Sequence, residues 1–574
     1  MRTIRRVILL LLLVAAVVAF FRLRAEPTLE PGTVLLVELG GSYVDEPSLS
    51  ITARLFGEPK SPLAAFLSEL RKAERDARIS AVVLRIRPLD VGWGKAQEIR
   101  DAIVALRQAG RRPIAYLEVE AYGANLEYFV ASAAEEVYLS PATRTPFVGM
   151  AAEYLFLGGL WEKLGVEVEV ERIGEYKSAA EVYAGKEMSE PHRVMANALL
   201  DSIYDNFVRA VAEGRGIDLA TVKDAIDAAP VTPEQMKERK LVDGIAFVDE
   251  VIAKQGERPL IKGRDYAAIS AESVGFKPVG SFALIYGTGP VVNGEQHSGP
   301  RSGTQLAAET VSRAFYDAAE DPDIKAIIFR VDSPGGSPLA SDIVWHAVQQ
   351  ARAKGKPVIA SFSDVAASGG YYAACGVDAI VAEPTTLTGS IGVFVLRPIV
   401  GGLLEKLGIG SATLTRGAHA DLLLSIHPLK PETRALLEKE VKGIYELFVS
   451  RVSEGRKLEP ARVDELGRGR VWTGAQALDI GLVDELGGLR TAVSRAKVKL
   501  GIDAAADVLL VPFPAPKPLA VQISEALQGA SARAMLEGAV LPRLPTSLQR
   551  VAEWVASVPS GAPVLLPPFS VEIH

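Results

Sequence analysis

Short apolar runs rich in valine, isoleucine and leucine recur along the chain. They are separated by longer stretches whose apolar residues return every three or four positions. In the second half, residues 283–286, 326–331, 357–362 and 379–382 read as buried strands. Residues 337–354 have helical spacing, with Ser337 placed as the N-cap and Pro338 in the first turn. In the first half, residues 166–173 read as a strand. Strands alternating with helices predict crossover units, a largely parallel sheet and an α/β fold.

The pattern is written twice. Leu160-Trp161-Glu162-Lys163-Leu164-Gly165-Val166 matches Leu403-Leu404-Glu405-Lys406-Leu407-Gly408-Ile409, and Ala81-Val82-Val83-Leu84-Arg85-Ile86 matches Ala326-Ile327-Ile328-Phe329-Arg330-Val331. Residues 128–141 match 371–384, each closing on proline, and 194–215 and 437–456 share a helical pattern ending in Glu-Gly-Arg. The offset stays near 241 to 245 residues throughout. This predicts a first repeat over 30–255, a linker over 256–280 and a second repeat over 281–500. A Pro- and Ala-rich extension over 501–574 has no counterpart in the first repeat.

One segment breaks the pattern. Residues 7–21 are uninterrupted apolar, with Arg2, Arg5 and Arg6 before them and Arg22 and Arg24 after. The run is shorter than the roughly 20 residues that span a bilayer core, but flanking arginines can snorkel and lengthen it. Arg22-Leu23-Arg24-Ala25 is a poor match to the small residues of a signal-peptide cleavage site. The expectation is an uncleaved signal anchor over 1–25, one transmembrane helix with its short tail in the cytoplasm and the bulk of the chain outside.

Composition narrows the function. A chain of 574 residues exceeds one core, and 48% apolar with 23% charged residues describes a folded protein. The net charge of −7 argues against a nucleic-acid-binding surface. Cys375 is the single cysteine, so no internal disulfide forms; its Ala373-Ala374-Cys375 setting reads as core. Six histidines, no His-Glu-x-x-His and no clustered Cys/His spacing predict neither a metal site nor a cofactor.

Two glycine-rich turns in the second repeat carry candidate chemistry. Asp332-Ser333-Pro334-Gly335-Gly336-Ser337 joins a strand to a helix, where outward-facing N–H groups can bind an anion or stabilise an oxyanion. It also reads as a plain strand-to-helix turn. Ala366-Ala367-Ser368-Gly369-Gly370-Tyr371-Tyr372 places Ser368 where parallel sheets bind ligands, with the Gly369 N–H beside it. A capping serine would look the same.

Together the two turns resemble those that the Clp protease and crotonase superfamily pairs into an oxyanion hole. Within it the chain is similar to the S49 serine peptidases, the signal peptide peptidase A group, in their long duplicated form. The segment Leu387-Thr388-Gly389-Ser390-Ile391-Gly392 also fits that pattern, and the resemblance covers nearly the whole chain. It implies two tandem Clp/crotonase-like repeats, Ser368 as nucleophile and an oxyanion hole from Gly335, Gly336 and Gly369. It implies peptide substrates such as remnant signal peptides. It also implies a place in the bacterial inner membrane with the bulk on the periplasmic side, and a bowl-like homo-oligomer, a tetramer.

A serine hydroxyl needs a base. No histidine lies between His346 and His419, and His346 comes too early in the order for a Clp-like triad. Arg172-Ile173-Gly174-Glu175-Tyr176-Lys177-Ser178-Ala179 resembles the segment that carries the base lysine in the long S49 peptidases, and Lys177 falls on that lysine; Ser390 would orient it. To act so, the lysine must be neutral, through burial or a neighbouring cation. The repeats give separate support: Asn125 falls opposite Ser368, Pro88-Leu89-Asp90-Val91 opposite Ser333 to Gly336, and Ala420 opposite Lys177. Each half lacks what the other has. A crotonase-like acyl-thioester enzyme, with no need of a nucleophilic serine, and a non-catalytic membrane scaffold are the competing readings.

Overall fold

The computed structural model describes residues 27–46, 60–120, 124–144, 147–296 and 304–515. The expected anchor over 1–25 and the chain beyond residue 515 lie outside them. Among the described residues no helix is long and apolar enough to cross a membrane.

Two parallel sheets repeat one plan. In the first, β1 (Thr33–Val44), β2 (Ile79–Asp90), β3 (Pro113–Leu117) and β4 (Glu136–Leu139) lie side by side in chain order. Helix α1 (Trp93–Gln108) follows β2 and α2 (Asn125–Ala131) follows β3. Then β5 (Glu167–Ile173) leaves the sheet, and the long helix α3 (Glu190–Arg215) follows. The second sheet sets β6 (Pro278–Thr288), β7 (Ile324–Ser333), β8 (Val358–Ala367) and β9 (Ala379–Ala382) in the same order, with α4 (Pro338–Ala353) after β7 and α5 (Gly369–Ala374) after β8. The chain continues through β10 (Leu387–Gly389), β11 (Val393–Ile399), helix α6 (Pro431–Arg456), β12 (Val471–Thr473) and β13 (Asp507–Phe513), of which β10, β12 and β13 join the second sheet.

The central strands are apolar on both faces because helices cover both, as a parallel sheet requires. Ile327 and Phe329 of β7 pack with Val344 and Val348 of α4, while Ala326 and Ile328 meet Ala492, Val493 and Ala496 on the opposite side. Ser337 caps α4, accepting from Ala340 N. Cys375 is buried in this core.

Three boundaries differ from those expected. Strand β8 runs on to Ala367, its last residues pairing with β10, so Ser368 sits at the strand end itself. The expected linker is folded: Leu260–Lys262 pairs with β1 and Tyr266 is buried against the first core. Residues placed in the C-terminal extension include β13, which pairs with β6 and so belongs to the second sheet.

The two repeats are joined by a third, antiparallel ribbon in which β5 pairs with β11, from Ile173 opposite Val393 to Glu167 opposite Ile399. At its centre Glu169 and Arg397 are both buried and paired, 2.5 Å apart. Arg434 of α6 reaches the same carboxylate. Removing one partner of a buried ion pair leaves an uncompensated charge. Arg397→Met is therefore expected to lower unfolding free energy by about 3 kcal/mol, read by urea denaturation; a change below about 1 kcal/mol would show the pair to be dispensable.

Candidate active site

The ribbon brings together residues far apart in sequence. Lys177 follows the end of β5 and Ser390 precedes β11, so the antiparallel register places them face to face. Lys177 Nζ lies 2.7 Å from Ser368 Oγ, and 2.9 Å from both the backbone oxygen and Oγ of Ser390. All three residues are fully buried. Among the described residues no carboxylate touches the amine, and burial holds its pKa well below the ordinary lysine range.

Backbone geometry fixes the two serines. Ser368 has φ 55° and Ser390 φ 52°, left-handed values that cost a non-glycine residue of order 1–3 kcal/mol. Ser368 N donates to Gly389 O, and Ser390 N to Arg470 O. A sharp, strained strand-to-helix turn of this kind thrusts a serine hydroxyl out of the strand line.

The first glycine turn meets the second. Gly335 N donates to Ser333 Oγ, while the Gly336 nitrogen lies against Gly369: a Cβ on Gly369 would stand only 2.9 Å from Gly336 N. Gly335 has φ 103°, and a Cβ on Gly336 would fall 2.2 Å from Val291 O, so the turn demands both glycines.

Residues 467–470 were not singled out by sequence. They strap the lysine in place: Tyr176 N donates to Arg468 O and Gly469 N to Ile391 O. A Cβ on Gly469 would meet Lys177 N at 2.4 Å. The Arg470 guanidinium stacks between Tyr176 and Trp472. The only sequence signal was the alternation Gly467-Arg468-Gly469-Arg470, which marks a turn without naming its partner. His346 is exposed on α4. Asn125, opposite Ser368 in the repeat alignment, is buried at the start of α2 and donates to Gly149 O.

The family model described as Peptidase family S49 matches residues 105–259 and 350–503, more than half of the chain in two segments. The chain is 36% identical over 514 residues to "Serine protease SPPA, chloroplastic" of Arabidopsis thaliana, covering 87% of this chain and 74% of that one. It is 30% identical over 488 residues to "Protease 4" of Salmonella typhi, covering 80% and 77%. With matches in both repeats and relatives aligned over most of their length, the chain belongs to peptidase family S49 and is a serine peptidase.

Proposed function

We propose that Ser368 is the nucleophile and Lys177 its general base, in a dyad assembled across the two repeats. The observation that carries this reading is the three-way contact of Lys177 Nζ. A neutral amine has two N–H groups and one lone pair. The Ser390 backbone oxygen can only accept, and Ser390 Oγ can take the second N–H. The lone pair is left to face the Ser368 hydroxyl, as a base requires.

Ser368 Oγ attacks the peptide carbonyl carbon while its proton passes to Lys177. The N–H groups of Gly336 and Gly369 receive the oxyanion, each such donor being worth on the order of 3 kcal/mol. Gly335 shapes the turn. The ammonium, oriented by Ser390, returns the proton to the leaving amine as the C–N bond breaks. Water, deprotonated by the same amine, then hydrolyses the acyl-enzyme.

Ser368→Ala and Lys177→Met are each expected to cut kcat by about 10,000-fold while the protein stays folded; near-normal turnover in either would remove the dyad. The acid limb of kcat/KM should lie well below the ordinary lysine range, because activity appears as Lys177 loses its proton. Stability follows the same sign. Between the folded and unfolded pKa values the unfolded chain binds the extra proton, so burying Lys177 costs stability that is recovered as pH rises. Lys177→Met should therefore raise Tm at neutral pH, with the gain shrinking towards alkaline pH.

The substrates we infer are hydrophobic peptides, remnant signal peptides in particular, met at the bacterial inner membrane from its periplasmic side. The apolar run 7–21 with its flanking arginines supports the anchoring. Removing residues 1–25 should release the protein from the membrane fraction and slow cleavage of a vesicle-embedded signal peptide more than that of a soluble peptide; a truncated protein still pelleting with membranes would refute the anchor.

The repeat arithmetic supports a homo-oligomer, with four subunits expected from the family. Shifted by about 243 residues, the counterparts of β5 and β11 are 410–416 and 150–156; among the described residues neither forms a strand, Ala152 making an isolated bridge. Leu407, Ile409 and Leu414 are exposed by 64%, 51% and 92%. Pairing 410–416 of one copy with 150–156 of the next would repeat the β5–β11 ribbon head to tail, an association that closes into a ring. Leu414→Asp should dissociate the assembly in sedimentation equilibrium; a wild-type protein that stays monomeric at micromolar concentration would end this reading.

A further inference from the structure

The start of α1 directly follows Pro88-Leu89-Asp90-Val91, the counterpart of the oxyanion turn, and it holds a carboxylate from the other repeat. Asp364 of β8 accepts from Gly92 N at 3.1 Å and Lys95 N at 2.8 Å, the open amides at the beginning of a 16-residue helix. Gly92 permits the approach, since a Cβ there would lie 2.4 Å from the Asp364 carboxyl carbon. The Lys95 ammonium, 4% exposed, adds contacts to Asp364 at 2.6 Å, Asp332 at 2.5 Å and Asp45 at 3.2 Å. Burial opposes that charge, but the three carboxylates outweigh it and hold Lys95 well above the ordinary lysine range.

These carboxylates stand where the backbone ladder fails. Strands β7 and β8 pair regularly as far as Val331 and Phe362, and pairing resumes at Ser333 and Ala366. Asp332 alone therefore faces Ser363, Asp364 and Val365, a bulge on the strand that carries Ser368. Across the gap Asp332 accepts from Val365 N at 3.2 Å. Asp332 directly precedes the Ser333-Pro334-Gly335-Gly336 turn, and Asp364 lies four residues before Ser368.

We propose that Lys95 is a positioning residue for the peptidase reaction: by gripping Asp332 and Asp364 it fixes the oxyanion turn relative to the nucleophile across the β7–β8 bulge. The inference rests on reading Ser368 as nucleophile and Gly336 and Gly369 as oxyanion donors. It assigns the first repeat a second contribution to the site besides Lys177.

The test separates positioning from simple adhesion between the repeats. Lys95→Met is expected to lower kcat roughly 30-fold with KM changed less than about twofold. It should weaken a peptidyl aldehyde inhibitor, whose tetrahedral adduct needs the same turn, by a similar factor, and leave the acid limb of the pH profile where Lys177 sets it. Glu98→Gln serves as control: Glu98 pairs with Arg330 and accepts from Leu489 N, so its loss should lower Tm with kcat within about twofold of wild type. A folded Lys95→Met enzyme with wild-type kcat and aldehyde affinity overturns the proposal. If that variant does not accumulate folded, Asp364→Asn decides, because it keeps one acceptor oxygen for the α1 amides and loses the charge that Lys95 grips, together with the second acceptor. About a tenfold fall in kcat is expected there, and wild-type kcat overturns the proposal equally. Turnover retained in Ser368→Ala would instead remove the reading beneath it, so the two failures are told apart.

Discussion

An amine from one half of the chain is held dry against a hydroxyl from the other half, and the β5–β11 ribbon is what makes this happen. Its register is the controlling quantity. With Ile173 opposite Val393, the chain past β5 and the chain before β11 run out of the ribbon together, carrying Lys177 and Ser390 to one point. A slip of one residue would turn every side chain of one strand to the other face. The buried Glu169–Arg397 pair opposes such a slip, because any other register would bury one of the charges alone. The strap at 467–470 then removes the remaining freedom of the lysine backbone.

Two lysines of the first repeat reach into the second, and their surroundings give them opposite character. Both are almost wholly buried. Lys95 lies among three carboxylates, so its charge is retained and serves as a tie. Among the described residues Lys177 meets hydroxyl and carbonyl oxygens and no acid, and burial holds its pKa well below the ordinary lysine range. Desolvation is common to both, and the presence or absence of an acid within contact distance decides in which direction each pKa is moved.

The alternating pattern and the internal repeat were legible in sequence because they are local or self-referential. The end of β8 was not: Ser361, Ser363 and Asp364 interrupt its apolar run, and they do so because they serve Arg330 and Lys95 in the interior. Strand β13 was read as part of a tail because Pro512 and Pro514 disguise it, a composition tolerated at a sheet edge. Ser368 stood out through the pair of glycine turns and the family resemblance together, since its own turn reads equally as a helix cap. Lys177 had no local signal, since neutrality is a property of packing; only family resemblance and the complementary losses of the two repeats pointed to it. The left-handed backbone of Ser368 and Ser390 left no trace in residue type, and Lys95 looks from sequence like any lysine on a helix face.

Those complementary losses acquire a physical reason once α1 is considered. A symmetric pair of repeats would present two oxyanion turns, each needing paired glycines and an open helix start. In the first repeat the turn has become Pro88-Leu89-Asp90-Val91, and the open helix start is filled by Asp364. The Gly92 and Lys95 amides, just past that turn, hold a carboxylate of the other repeat. The first repeat has lost the glycine pair of an oxyanion turn, and the helix start beside it is tied to the bulge that precedes Ser368. A repeat restored to glycine at 90 and 91 would still not regain a site, because Asn125 stands opposite Ser368 and brings no nucleophile, while the start of α1 stays tied to Asp364.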